Sequence, residues 1–425
     1  MKKGIYPYCG IRKQRWRVLG PVHSAEEHIV AGLDLGTSKV AAVIAAVGGQ
    51  GVCRIMGVGT GSHNGLRRGV IDDQESVTKA VTEAVIKAER MAMMPMPQPL
   101  VGIPGVYSSA FAATGSITIA RSNHKVQAED VDRVLEAAKA TVVPPGRRII
   151  HHAVRGFAVD GNPIEGEPLG LVARRLEVNV QFMTAALPAL ESYLQCMNQA
   201  GVKAKEVMMQ CLAAADLALT PSQRAVGAVL VDLGAGLTDL ALFRDSQLQH
   251  MGCLPVGTEN LTHDLTVGLH VPRGEAERLV RELGYNPAPE RKGAGGKAPE
   301  GSWEMLDDYN GIFKARAEEI WQLIRTGVAN AGAGRSWPAG IKLVGGGALI
   351  PGFADLGASI MGLPVEVVLP VDVAGLPEAW QSPSSAVGVG LVLHQADGLA
   401  KSAGYPRKPR TVDVSWQKVR TWLRF

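Results

Sequence analysis

Two stretches of this chain carry the same set of chemically useful residues. The first runs Gly32-Leu33-Asp34-Leu35-Gly36-Thr37-Ser38-Lys39. The second runs Leu230-Val231-Asp232-Leu233-Gly234-Ala235-Gly236-Leu237-Thr238. In each, an apolar run ends in Asp-Leu-Gly, passes through small residues and a Thr, and enters a second apolar run. A strand end of this kind delivers a carboxylate to a cleft. Gly36, Gly234 and Gly236, with Ala235 between the last two, leave backbone N–H groups free to approach phosphate oxygens. Thr37, Ser38 and Thr238 add hydroxyl donors, and Lys39 adds a positive charge. Asp34 and Asp232 are expected to face each other from two related halves and to hold Mg²⁺ through its waters, because Mg²⁺ keeps several waters and takes few direct carboxylates.

One such turn alone is usually an ordinary hairpin. Two copies with equivalent flanks, 198 residues apart, mark an internal repeat. A third stretch, Ile341–Gly352 (IKLVGGGALIPG), runs a strand into Gly345, Gly346 and Gly347, where a flat purine ring could lie on bare backbone. The three together point to a nucleoside polyphosphate held between two lobes. Neither copy fits the glycine spacings of the P-loop or of the dinucleotide-binding turn.

The remaining sequence must supply the elements that position these turns. At 425 residues, with 46% hydrophobic and 20% charged side chains, the chain is long enough for two to four packed domains. No run of eighteen apolar residues occurs, so no membrane-spanning helix is expected, and the first twenty residues lack the apolar stretch of a secretory signal. Five widely spaced cysteines without a Cys-x-x-Cys pair suit a reducing compartment. Residues 73–93 place Val77, Val81, Val85 and Ala88 on one helical face. Helices are also expected over 128–142, 186–201, about 260–283, 307–332 and 382–397. Residues 284–302 read as a Gly/Pro/Lys loop.

Charge is unevenly placed. Residues 1–28 hold six basic and two acidic side chains, and residues 401–425 hold seven and one, so the body carries −6 although the whole chain is +4. Basic ends on an acidic body suggest an anionic partner. The last segment, VDVSWQKVRTWLRF, sets Val412, Trp416, Val419 and Leu423 on one helical face. Trp422 widens that face, Phe425 lies near its edge, and Lys418, Arg420 and Arg424 flank it. A short basic amphipathic helix with two Trp behind a linker is what an interfacial anchor on anionic lipid needs. Lipid is therefore the expected anionic partner, and nucleic acid is not. One such helix binds weakly, so firm attachment needs many copies.

The phosphate turns at 34–39 and 232–239 and the glycine turn at 345–347 resemble those of the actin/Hsp70/sugar-kinase ATPases. The stretches GLDLGTSKVAAVI, GVGTGSHNGLRRGVIDDQESV, AEDVDRVLEAAKA, PVGTENLTHDL and VGGGALIPGFADLGASIMGLPVEV, with the C-terminal helix, are more narrowly similar to the FtsA family of bacterial division proteins. The resemblance implies an α/β actin-like fold with duplicated, ribonuclease H-like halves and an inserted small α+β domain. It places half one at 29–98 and 179–222, the insertion at 99–178, half two at 223–256 and 335–397 with an added subdomain at 257–334, a linker at 398–411, and the membrane helix at 412–425. Residues 1–28 are a basic extension.

It also implies ATP and Mg²⁺ as ligands, with Gly257, Glu277 and Arg281 joining Gly345, Gly346 and Gly347 around the nucleoside. From the residues alone, Glu277 and Arg281 equally read as an exposed ion pair. The implied role is a self-associating adaptor that tethers FtsZ to the inner face of the cytoplasmic membrane at the division site. FtsZ would bind through the 257–334 subdomain, and later division proteins would meet the 99–178 domain. A pilus-assembly adaptor of the PilM type is the alternative, and a sugar-kinase-like phosphotransferase is a third reading. Leu237 stands where the family carries a hydroxyl, and Thr258 follows Gly257 where a second glycine is usual. Both depart from the pattern expected of an efficient hydrolase, and no residue singles itself out as a base.

Overall fold

The first repeat folds as a strand, His28–Leu35, that turns at Gly36 and returns as Lys39–Val47. In this computed structural model, residues 27–140, 144–285, 302–332 and 334–402 are described. All of the expected basic extension but Glu27 and His28, all but the ends of the 284–302 loop, and the helix at 412–425 lie outside them; His28 already belongs to the first strand. The hairpin ladder pairs Asp34 with Ala41. Cys53–Ser62 adds antiparallel to Lys39–Val47, while Leu100–Ile103 pairs in parallel with His28–Leu35 and Glu206–Met209 in parallel with that.

The second repeat builds the same sheet again. Ala228–Leu233, Thr238–Arg244, Gln247–Leu254, Ile341–Val344 and Val365–Val367 take the same order with the same directions. The duplication seen in two short motifs therefore extends to two whole five-stranded sheets. Their central strands are covered on both faces, which is why they read as continuous apolar runs rather than alternating ones.

The helix Gln74–Ala92 lies on Cys53–Ser62. Its first turn is capped by Asp73, which accepts from the Ser76 N–H at 3.0 Å. Gly57, Gly59 and Gly61 face it, and a Cβ on any of them would run into the carbonyl of Ala88, Ala84 or Ala80 respectively. The match is geometric. Two residues along a strand advance about 6.8 Å, and four along a helix advance about 6 Å.

Two helices lie against the first sheet from the side of the second half. Gln210–Ala218 (QCLAAADLA) is buried on nearly every side and touches strands of both sheets. Ala386–Ser402 lays Leu391 beside Gly32 and Gly390 beside the Ala213 carbonyl. Gln395 Nε2 donates to the Ala31 carbonyl at 2.8 Å, and His394 Nδ1 meets Asp216 Oδ2 at 2.6 Å. This corrects the placement of residues up to 397 in half two, because the last helix crosses back onto half one. It also corrects the linker's start, because the helix continues to Ser402.

The inserted unit is an antiparallel sheet of Ser108–Thr118, Arg175–Ala186, Arg147–Val159 and Asn162–Ile164, in that order, under the helix Ala128–Ala140. Leu176, Phe157, Phe182, Val134 and Leu135 form its core. The expected bounds of 99–178 shift accordingly. Leu100–Ile103 is a strand of the first large sheet, and Arg175–Ala186 stays paired with the insertion as far as Ala185 and Ala186. The insertion also touches the second half. Arg155 Nη2 donates to the Gln249 carbonyl at 2.9 Å, and Gln247 Nε2 donates to the Arg155 carbonyl at 2.8 Å. Beyond the second sheet, Thr258–Gly268, Arg273–Glu282 and Ser302–Ala331 pack around Tyr309, Phe313 and Trp321.

Candidate functional site

The two Asp-Leu-Gly turns share one hydrogen-bond plan. The Gly36 N–H donates to the Lys39 carbonyl at 3.0 Å, and the Gly234 N–H donates to the Leu237 carbonyl at 2.9 Å. Both turns open into one cleft of about 350 Å³, within the range of small-ligand sites. Its walls include Asp34, Gly36, Thr37, Ser38 and Lys39 from the first half and Asp232, Gly234 and Ala235 from the second. Gly345 and Gly346 line it as well. The turns also touch directly, since a Cβ on Gly236 would press on the Thr37 side chain.

Other expected site residues take supporting positions. Thr238 is fully buried and donates its hydroxyl to the Val256 carbonyl at 2.7 Å, so it ties its strand to the segment between Leu254 and the next helix, and it is not in the cleft wall. Gly257 lies behind the second turn, where a Cβ would strike the Ala235 and Gly234 carbonyls. Gly347 packs on Leu233 and Thr258. Glu277 and Arg281 are not in the cleft wall. Glu277 accepts from Arg273 Nε at 2.8 Å, so the expected pair with Arg281 is replaced by one with Arg273, four residues earlier. On this helix Ala276 and Val280 are buried, Glu277 is half-buried beside them, and Arg281 is exposed.

The structure adds residues that the sequence reading passed over. Asp239 lies directly across the ladder from Asp232 and lines the cleft, in the position that Ala41 holds opposite Asp34. Hairpin register could have found it. A turn closed from Gly234 to Leu237 pairs 233 with 238, and hence 232 with 239. Gln210, at the start of the buried helix, donates from Nε2 to Asp34 Oδ1 at 2.7 Å and to the Leu35 carbonyl at 3.0 Å. Ser384 accepts from Lys39 Nζ at 3.1 Å. Leu349 is an exposed apolar side chain in the cleft wall beside Gly346.

Burial dominates the electrostatics. It pushes Asp34 up to about 6, with the Asp239 charge adding to the rise and with Lys39 and the Gln210 hydrogen bond opposing it. It pushes Asp232 up to about 8, helped by Asp239 and Asp34, and Asp239 up to about 6. Lys39 is pulled down by the same burial against the pull of Asp34 and Asp232. Asp239 Oδ1 is buried and faces the Gly105 backbone without a well-formed hydrogen bond.

Three carboxylates and one lysine thus share one cleft, which a divalent cation with an anionic ligand would balance. A close cradle for such a ligand is built in. Gly345 sits at φ 87°, and a side chain there would collide with Asp232 and the Leu233 carbonyl. Among the described residues no three His, Cys, Asp or Glu side chains are close enough to hold a metal directly, so a cation here fits through waters and ligand oxygens. The residues present therefore fit Mg²⁺ with a polyphosphate.

Comparison with known proteins agrees with this architecture. The family model "Cell division protein FtsA" matches residues 229–390, and "SHS2 domain inserted in FTSA" matches residues 107–184. The chain is 30% identical to cell division protein FtsA of Pseudomonas aeruginosa over 387 residues, spanning 88% of this chain and 92% of that one. The chain belongs to the FtsA family of cell division proteins. The FtsA of Bacillus subtilis is 30% identical over 85% of this chain and 82% of its own, and that of Escherichia coli K12 is 27% identical over 95% and 99%.

Among solved structures, a chain of the PilM-PilN type IV pilus biogenesis complex superposes with a TM-score of 0.61 at 16% identity, covering 86% of this chain and 98% of that one. Ethanolamine utilization protein EutJ from Carboxydothermus hydrogenoformans gives 0.50 at 15% identity, covering 88% and 92%. At such identities the likeness concerns fold alone. The fold is α/β and actin-like, with duplicated halves and the SHS2 insertion that the FtsA family carries. No helix among the described residues is long and apolar enough to cross a membrane.

Proposed function

We propose that this FtsA-family chain is an ATP- and Mg²⁺-binding, self-associating adaptor that tethers FtsZ to the inner face of the cytoplasmic membrane at the division site. The observation that carries the reading is the single cleft into which both Asp-Leu-Gly turns open. In this reading the backbone N–H groups and hydroxyls of Thr37 and Ser38, the Lys39 ammonium, and the Ala235 backbone hold the phosphates, while Gly36 and Gly234, whose N–H groups close the two turns, let the phosphates approach without side chains in the way. Gly345 and Gly346 carry the nucleoside, with Leu349 against the base. Asp34 and Asp232 orient the waters of Mg²⁺, and Asp239 adds charge beside them. Bound Mg²⁺ supplies positive charge between these carboxylates and the phosphate oxygens. Gly236, Thr238, Gly257 and Gly347 shape the turns from behind.

Because the ligand's contacts come from both halves, binding favours the arrangement in which the halves are correctly apposed, and with it self-association. The membrane contact is assigned to Trp416, Lys418, Val419, Arg420, Trp422, Leu423, Arg424 and Phe425, whose amphipathic pattern supports it. FtsZ is assigned to the helices between Thr258 and Ala331, and other division proteins to the insertion. The name shared by the relatives supports the division setting.

Two measurements test the reading. Calorimetry should detect ATP binding that weakens when Mg²⁺ is chelated. FtsZ should co-sediment with anionic vesicles when the full chain is present, and not when residues 412–425 are deleted. ATP uptake absent in the first, or an unchanged pellet in the second, would refute the corresponding half of the proposal.

A further inference from the structure

A phosphate-holding turn must point its N–H groups at the ligand, so its carbonyls need partners on the far side. The second turn finds them in a helix. The Gly234 carbonyl accepts from the Thr258 N–H at 3.1 Å and the Ala235 carbonyl from the Glu259 N–H at 2.8 Å, at the start of Thr258–Gly268. Among the described residues no helix start offers backbone N–H groups to the Gly36 and Ser38 carbonyls of the first turn. There the Gly36 carbonyl, equivalent to that of Gly234, meets Nε2 of His63 at 3.0 Å. The Ser38 carbonyl accepts from the His63 backbone N–H at 3.3 Å.

His63 is 5% exposed and follows the strand Cys53–Ser62, whose last residue pairs with Lys39. A carbonyl partner requires Nε2 to carry the proton. Nδ1 then remains a buried acceptor, and it has no partner. Burial pulls the imidazole below its usual range, which agrees with a neutral ring. The loop that His63 opens also reaches the cleft, where Leu66 forms part of the wall.

We infer that His63 is a positioning residue for the first phosphate turn, its Nε2–H replacing the helix N-terminus that steadies the second. The inference rests on the nucleotide reading of the cleft. It adds that the carbonyl side of this turn is steadied by a side chain where the second turn uses backbone N–H groups.

The test uses the full chain and MgATP. His63→Leu fills the space without a donor, and His63→Gln keeps an N–H near the Nε2 position. Calorimetry should give MgATP binding roughly tenfold weaker for His63→Leu, the loss expected of one net hydrogen bond. His63→Gln should recover most of it and melt close to the wild type without nucleotide, whereas His63→Leu should melt lower because the Gly36 carbonyl loses its partner. If His63→Leu binds as the wild type does, or if His63→Gln is as weak as His63→Leu, the inference is overturned. Absence of MgATP binding in the wild type would instead sink the underlying reading. Should the variants fail to fold, ¹⁵N shifts of the wild-type ring decide: an Nε2–H, bare-Nδ1 tautomer is expected, and the opposite tautomer refutes the assignment.

Discussion

Asp232 offers the sharpest test of the cleft's electrostatics. Burial, with the Asp239 and Asp34 charges beside it, pushes its carboxyl up to about 8 in the folded protein, well above the ordinary aspartate range. A raised pKa means that the folded state holds its proton more tightly than the unfolded state does. The stability this contributes is complete below the unfolded pKa and is lost as pH rises through the folded one. Between pH 5 and pH 8 the unfolded carboxylate is already ionised while the folded one is titrating. At ~1.4 kcal/mol per unit, the loss over that window reaches on the order of 3–4 kcal/mol. The cleft opens to water on one side, and screening reduces this to on the order of 2 kcal/mol.

Asp232→Asn cannot ionise. Without nucleotide it should therefore match the wild type below about pH 4 and exceed it by about 2 kcal/mol at pH 8, read from urea unfolding. With MgATP the ranking should reverse. Ligand at a hundredfold excess over its Kd stabilises the wild type by about 2.7 kcal/mol, and the variant, lacking one carboxylate that orients Mg²⁺, should gain far less. A variant no more stable than the wild type at pH 8, or one that keeps the full Mg²⁺-dependent gain, would show that Asp232 is neither strained in the empty cleft nor used in the filled one.

Gln210→Leu removes the donor to Asp34 and the Leu35 carbonyl. It should cost about 1–3 kcal/mol in chemical unfolding and weaken MgATP binding in calorimetry. Gly59→Ala puts a methyl into the Ala84 carbonyl and should cost about 3 kcal/mol; Gly156→Ala, with open space around the added methyl, should leave the melting temperature nearly unchanged. Arg155→Met removes hydrogen bonds to Gln181 and Gln249. It should lower stability by about 2 kcal/mol and speed proteolysis between the insertion and the second half. Unchanged cleavage would show that this contact does not hold the two together.

The fold was legible where chemistry repeats. Asp-Leu-Gly at 34–36 and 232–234 marked two hairpins, and the hairpins carry two sheets of the same topology. The helix over Gln74–Ala92 was legible because its apolar face has period 3.6. The helix Gln210–Ala218 was not, because a helix apolar on nearly every side has no period to read. Its invisibility hid Gln210, whose role depends on packing against a strand end 176 residues away. Ser384 was hidden for the same reason, since only the crossing of the last helix brings it to Lys39. Thr238 and Gly257 were visible as motif residues, but a motif does not say which side of a turn faces the ligand. Glu277 and Arg281 share a helix, where Glu277 is paired with Arg273, a local partner that the four-residue spacing to Arg281 did not single out.

The duplication is exact enough in topology for its departures to be informative. Superposed by ladder register, Asp34 matches Asp232, Ala41 matches Asp239, and Lys39 matches Leu237. One half therefore offers the cleft one carboxylate and one ammonium, and the other offers two carboxylates and an apolar side chain. Two copies of the first half would present two lysines already balanced by two carboxylates, and two copies of the second would present four carboxylates with no cation beside them. The unequal pair suits a ligand that is itself unequal, with anionic oxygens at one end of a metal ion and the metal's waters at the other. Exchanging the asymmetry tests this. Leu237→Lys should tighten ATP binding without Mg²⁺ and shrink the Mg²⁺ dependence, because the new charge neutralises Asp232 and Asp239 as the cation would. If calorimetry finds the Mg²⁺ dependence undiminished in that variant, the carboxylate pair of the second half is not what recruits the metal.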